Sequence, residues 1–254
     1  MKEIVSHTNE TVKMLKSLKM KKYRDEHGKY LIEGDKAIFE ALEHSVPIDC
    51  VVVSDHKSAV VPMARERGIP IIKVSYEIIE QIASTKSPPK DLACLVKQLA
   101  PIDPQGRFYV AVDDINDPKN LGSVIRTADA VGCDGIFISE NSADVFGPQV
   151  QRAAMGSMFH VGIEIGNLQH MLRSFKRSGG HVVAGDVHGE EKLEGSYNKV
   201  CIVVGNEARG ISDEVRELAD ERYRIRIYGK AESLNAGVAA GIMLYDVRKQ
   251  LKEG

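Results

Sequence analysis

The sequence predicts an α/β protein with a parallel-sheet carboxyl-terminal domain and a small amino-terminal α/β domain. Three observations predict it. Apolar runs of strand length recur along the chain, stretches with helical spacing separate most of them, and the alternation is broken once by prolines at Ser87-Pro88-Pro89 and Ala100 to Pro104. A chain of 254 residues is long for one compact unit and suits two. The domains are placed at residues 1–100 and 107–254, with the boundary at about residues 99–106.

In the first domain Val12, Leu15 and Leu18 recur every third residue, so Thr8 to Lys19 reads as a short helix with its lysines outward. Lys21 to Gly28 reads as a polar stretch. A strand at Tyr30-Leu31-Ile32, a helix from Asp35 to His44, a strand at Cys50 to Val53, a helix near Ser58 to Arg67, and strands at Pro70 to Ile72 and Leu92 to Val96 follow. In the second domain strands are predicted near Phe108–Val112, Gly135–Ser139, His160–Ile165, His181–Ala184, Val200–Val204 and Tyr223–Ile227, and a helix over Ser233–Lys252. Such apolar strands separated by helices predict a parallel sheet covered on both faces, which binds ligands at the carboxyl ends of its strands.

Composition narrows the function classes. With 43% hydrophobic and 28% charged residues the chain can bury a core and is too apolar for disorder. Met1 to Met20 lacks the apolar centre of a signal peptide, and no run approaches membrane-spanning length, which predicts a cytoplasmic protein. Cys50, Cys94, Cys133 and Cys201 stand far apart beside apolar runs, without a CxxC pair, and read as buried free thiols rather than metal ligands. The net charge of −2 hides a gradient: residues 1–100 carry 16 basic and 14 acidic groups, the remainder 18 and 22. Thr11 to Arg24 holds six basic residues, among them Lys21, Lys22 and Arg24, and no acidic one, a local potential that attracts a phosphate backbone.

GxxxxGK[ST], HExxH, GxSxG and a strand-to-helix GxGxxG are all absent, which removes the simplest nucleotide, protease and esterase readings. Three segments remain. In Val112 to Ala128 a strand enters a polar loop, and Pro118 suits a first helical turn. Arg126 lies among Val124, Ile125, Ala128 and Val131, where a guanidinium costs desolvation unless it meets an anion such as phosphate; the plain alternative is a surface arginine on a capped helix. In Val200 to Ser212 an apolar strand ends at Gly205, and Ser212 can cap a helix opening with Asp213 and Glu214. In Ile225 to Ala240, Ser233 reads as an N-cap, leaving Asn235 inside an apolar helix where an asparagine needs a partner.

Taken in order, these segments resemble the motifs of the SpoU/TrmH ribose methyltransferases of the SPOUT superfamily across about residues 107–250. Asp-Pro-x-Asn-x-Gly-x-x-x-Arg-Thr-Ala appears as Asp117 to Ala128, Gly-x-Glu as Gly205 to Glu207, and Ser-Leu-Asn as Ser233 to Asn235. The amino-terminal part, through Lys19 to Arg24 and Tyr30 to Gly34, resembles the RNA substrate-binding domain often fused to these enzymes, itself similar to ribosomal proteins that grip kinked RNA. The resemblance implies a trefoil knot, a homodimer and S-adenosyl-L-methionine held by backbone around Val204, Gly205, Ile225, Leu234 and Ala236. It implies 2′-O-methylation of structured RNA, 23S ribosomal RNA in the first place, with no metal. Arg126 would act as base or position the attacking oxygen, with Asn120, Ser233 and Asn235 orienting the participants; Arg152 would reach RNA phosphate across the dimer, or serve a structural salt bridge.

The chain departs from the family pattern at Ile225-Arg226-Ile227 (for Ile-Pro-Met), at Ala236-Gly237 and at Arg152-Ala153-Ala154. The rival readings are a transfer-RNA methyltransferase, a noncatalytic RNA-binding module that binds cofactor without transfer, and a small-molecule enzyme whose substrate affinity would ignore salt.

Overall fold

The alternation read in the amino-terminal part builds a mixed sheet. The structure, a computed structural model, describes residues 1–193 and 195–252; the last two residues of the predicted second domain lie outside this range. Residue contacts divide the chain into two units, Met1–Gln98 with Phe146–Arg152, and Leu99–Val145 with Ala153–Gly254.

In the amino-terminal unit the elements run β1 (Lys2–Glu3), α1 (Glu10–Ser17), α2 (Lys21–His27), β2 (Lys29–Glu33), α3 (Asp35–Glu43), β3 (Ile48–Val53), α4 (Val60–Glu66), β4 (Ile71–Lys73), α5 (Tyr76–Ile82) and β5 (Asp91–Val96). The strand order is β1-β4-β3-β5-β2, with β1, β4 and β3 parallel and β5 antiparallel to both its neighbours. Asn9 caps α1 by accepting from the Thr11 amide, and Val12, Leu15 and Leu18 are buried on the sheet with Ile78, Ile79 and Ile82 of α5. The polar stretch Lys21 to Gly28 forms helix α2, closed by Gly28 in the left-handed conformation at φ 61°. Its apolar content is too low for periodicity to reveal it, and the one residue it buries is charged, Arg24.

In the carboxyl-terminal unit, β6 (Phe108–Asp113), α6 (Pro118–Ala130) and β7 (Gly135–Ser139) are followed by α7 (Pro148–Ala154), most of which clusters with the amino-terminal unit. A 3-10 turn at Ser157–Phe159 then leads to β8 (Ile163–Gly166), α8 (Leu168–Arg177), β9 (His181–Glu190), β10 (Val200–Gly205), α9 (Asp213–Arg216), β11 (Glu221–Tyr223) and α10 (Ala236–Arg248). The strands pair in the order β11-β9-β10-β6-β7-β8, and every pairing is parallel, as predicted. Tyr109, Ala111, Val203 and Phe137 pack under Leu172 and Phe175 of α8 and Val215 of α9, while α6 and α10 pack on each other, on β6 and on β10. All four cysteines are buried free thiols, also as predicted. No helix among the described residues is long and apolar enough to cross a membrane.

Two strand predictions are corrected. The predicted strand at His160–Ile165 begins only at Ile163, because Ser157–Phe159 forms the 3-10 turn and Gly162 passes against the backbone of Pro101 and Ile102, where a Cβ would not fit. The predicted strand at Tyr223–Ile227 stops at Tyr223; beyond it the chain leaves the sheet and lines a cavity instead.

Candidate functional site

Three loops at the carboxyl ends of strands meet in the carboxyl-terminal unit. Asp113 ends β6, and its carboxylate accepts from both the amide (2.7 Å) and the hydroxyl (2.8 Å) of Ser212. Asp114 follows at φ 56°, a left-handed conformation rare outside glycine; its amide donates to the Ser139 hydroxyl and its carbonyl accepts from the Asn206 side chain, which hold it there. The loop after β6 is thus stapled to the turn after β10. Ser212 begins α9 as expected, but spends its hydroxyl on Asp113 rather than on the helix amides.

The link to the third segment runs through Asn120. Asp117 caps α6, with Pro118 in the first turn, so that Asn120 falls buried on the inner face. The Asn120 amide nitrogen donates to Glu207 Oε1 at 2.8 Å, and its oxygen accepts from the Asn235 amide nitrogen at 2.9 Å. Asn235, not Ser233, is the N-cap of α10: its oxygen accepts from the amides of Gly237 and Val238. That corrects the assignment of the cap and supplies the partner Asn235 needed. Both ends of its side chain are used, so residues from all three motifs are fixed in one hydrogen-bonded chain. In the sequence Glu207 stands out only as part of a turn, because its partner is 87 positions away.

Beside this chain lies a cavity of 420 Å³, within the range of small-molecule sites. Val204, Gly205, Ile225, Leu234 and Ala236 all line it, as do Ser233 and Glu207. Asn120, Asn235 and Arg126 are not in its wall. Gly205 makes the turn possible, since a Cβ there would run into the Gly210–Ile211 peptide. Gly237, a departure from the family pattern, lets α10 approach α6: a Cβ would meet that of Ser123 at 3.1 Å.

Arg126 does not sit in a buried apolar setting. It is exposed on α6, because Val124, Ile125 and Ala128 turn inward while position 126 turns out, and its guanidinium donates to Met155 Sδ at 3.1 Å. The desolvation argument for Arg126 therefore falls, while an exposed donor fork remains. Ser233 is exposed in the loop before α10. Arg152 is exposed on α7.

Within the amino-terminal unit the three basic residues of α2 divide. Arg24 is 4% exposed, and its Nη1 donates to the carbonyls of Leu18 and Lys19 at 2.8 Å, closing the end of the preceding helical segment. That corrects its assignment as an RNA contact: a guanidinium committed to buried carbonyls holds the fold. Lys21 and Lys22 are exposed, Lys21 paired with Asp25 at 2.7 Å and Lys22 5.6 Å from the Tyr23 ring centre. Hydrogen bonds from Lys21 and Lys97 hold the Asp25 carboxyl down at about 2. Among the described residues one trio of potential metal ligands lies together, Asp49, Cys50 and Cys94, and Lys29 already donates to that carboxylate at 2.8 Å.

Residues 107–245 match the SpoU rRNA Methylase family and residues 9–93 the MRM3-like substrate binding domain. The 23S rRNA (guanosine(2553)-2′-O)-methyltransferase RlmP of Bacillus subtilis is 32% identical over 98% of this chain and its own whole length. An AdoMet-bound rRNA methyltransferase from Sinorhizobium meliloti superposes with a TM-score of 0.89, at 33% identity and 99% coverage of both chains. The AdoMet complex of the SpoU methyltransferase AviRb from Streptomyces viridochromogenes superposes with a TM-score of 0.84, at 26% identity over 95% of this chain and 98% of its own. By the family model over its catalytic half and by full-length likeness to these relatives, the chain belongs to the SpoU rRNA Methylase family.

Proposed function

We propose that this protein is a 2′-O-ribose methyltransferase that acts on 23S ribosomal RNA with S-adenosyl-L-methionine as methyl donor, as a cytoplasmic homodimer. The observation that carries the reading is the chain Glu207–Asn120–Asn235 beside a cavity lined by the other two motif segments. That cavity suits the cofactor chemically: Ile225, Ile227, Leu234 and Met243 offer apolar surface for a purine, and the carboxylates of Glu207 and Glu232 complement a cation. Val204, Gly205, Ile225, Leu234 and Ala236 would hold it. When bound, S-adenosyl-L-methionine supplies an electrophilic methyl group on a sulfonium, so the transfer calls for no metal.

The residues do the remaining work. Asn120 and Asn235, each fixed at both ends, hold the start of α10 and the loop before it, with Ser233, in one geometry. Arg126, exposed and forked, engages an RNA phosphate and steadies the attacking sugar oxygen by charge while the hydroxyl proton passes to solvent water, the role that its exposure favours over that of a base. Lys21 and Lys22 supply charge toward the RNA backbone, and Arg152 adds to it. A second copy of the chain accounts for the apolar stripe Val238, Ile242 and Tyr245, exposed on α10 at positions i, i+4 and i+7.

The test is a map of ribose methylation on large-subunit RNA from cells with and without the protein. One 2′-O-methyl group should disappear with the protein, and the guanosine on which the Bacillus subtilis relative acts is the first position to inspect. Identical maps would overturn the proposal.

A further inference from the structure

Chain departure at Arg226 leads to a feature that the methyl-transfer chemistry leaves unused. After β11 the backbone is irregular, yet the side chains still alternate. Tyr223 is buried with its hydroxyl on Asp246 at 2.9 Å, and Ile225 and Ile227 are half-buried in the cavity wall; Arg224 is exposed at the edge of that wall, and Arg226 and Tyr228 are exposed outside it. The outer row is ordered by its own contacts. Arg224 reaches Glu191 Oε1 at 3.1 Å, Arg226 reaches Glu191 Oε2 at 3.6 Å, and the Arg226 guanidinium carbon lies 5.0 Å from the centre of the Tyr228 ring. Tyr228 is nevertheless 87% exposed, more than any other large hydrophobic residue described.

We propose that Tyr228, held by Arg226, is a platform on which an unpaired base of the RNA substrate stacks at the rim of the cofactor cavity. The inference rests on the function proposed above and goes further, in naming what positions the nucleotide. A ribose inside an A-form helix keeps its base stacked, and sequence-specific RNA recognition works on bases splayed out and stacked on aromatic rings or guanidinium planes. An exposed aromatic ring with a guanidinium against it offers both surfaces, and the cation raises the ring's affinity for an anionic strand. Arg224 and Arg226 share the single carboxylate of Glu191, so this trio of side chains carries a net positive charge. Because Ile227 lines the cavity and directly precedes Tyr228, a base stacked on Tyr228 would lie one residue along the backbone from the cavity wall.

The probe is a 23S ribosomal RNA transcript without modifications, used with the full chain. Tyr228→Ala should weaken binding of the transcript and raise its KM on the order of tenfold. The kcat should stay within about twofold, and affinity for S-adenosyl-L-methionine should not change. Tyr228→Phe should restore wild-type behaviour, because the ring and not the hydroxyl is used. The chain contains no tryptophan, so Tyr228→Trp installs a lone fluorophore whose emission the transcript should quench. RNA affinity within twofold of wild type for Tyr228→Ala, loss of cofactor affinity in parallel with RNA affinity, or unquenched Tyr228→Trp at saturating transcript would each overturn the proposal. A wild-type protein that binds the transcript but transfers no methyl would instead defeat the functional reading, while the quenching still decides the stacking.

Discussion

Arg24 on α2 and Arg126 on α6 exchange the places that their sequence neighbourhoods suggest. Arg24 stands in a run of lysines and is buried on two carbonyls; Arg126 stands among valine, isoleucine and alanine and is exposed. The difference lies in what each fold element leaves unsatisfied. Helical segment ends present carbonyls without partners, and the fold of the amino-terminal unit brings a guanidinium to them. Inside the middle of α6 the carbonyls are already used, and the helical phase turns Arg126 outward, where it donates to Met155 Sδ and an external anion can reach its fork. A guanidinium's role follows from the acceptors that the fold sets beside it, more than from its neighbours along the chain.

Substitutions can break or sharpen this contrast. The largest effect is expected for Arg126→Ala: methyl transfer should fall by on the order of 10³-fold or more, while the urea midpoint and cofactor binding stay put, because an exposed side chain contributes within about 0.5 kcal/mol to stability. Arg24→Met should do the converse. It strands two carbonyls and should cost about 2–3 kcal/mol in urea unfolding, with turnover per folded molecule unchanged. A milder change is expected for Lys21→Ala with Lys22→Ala. RNA affinity should drop by roughly threefold to tenfold at moderate salt, and the slope of log affinity against log salt should become shallower by up to about two. If instead Arg24→Met shifted the salt slope and left the midpoint alone, the division of α2 into a structural arginine and RNA-facing lysines would be wrong.

How much of this was legible beforehand depends on whether the physical cause was local. Gly135–Ser139 and Val200–Gly205 announce themselves because a strand buried on both faces must be apolar throughout. Helix α2 is invisible by the same logic, since it buries one charged side chain rather than an apolar stripe. The exit of the chain from the sheet after Tyr223 could not be read either: Ile225 and Ile227 alternate with arginines as a strand would, but face a cavity. For the site, the asparagine at position 235 signals that a polar group near an apolar helix start needs a partner, and Asn120 enters through the motif. That each is the other's partner across 115 positions is a tertiary fact. The mistaken cap at Ser233 has a simple origin, because serine and asparagine are equally good caps and only the backbone decides which of the two is used.

The most direct test follows the methyl group itself. Labelled S-adenosyl-L-methionine is incubated with the 23S transcript and either the wild-type chain or Arg126→Ala, and the RNA is digested to nucleosides. Label recovered in one 2′-O-methylnucleoside from the wild-type reaction, and absent with the variant, is the predicted result. Label on a base, or equal label on a ribose with Arg126→Ala, would contradict the account.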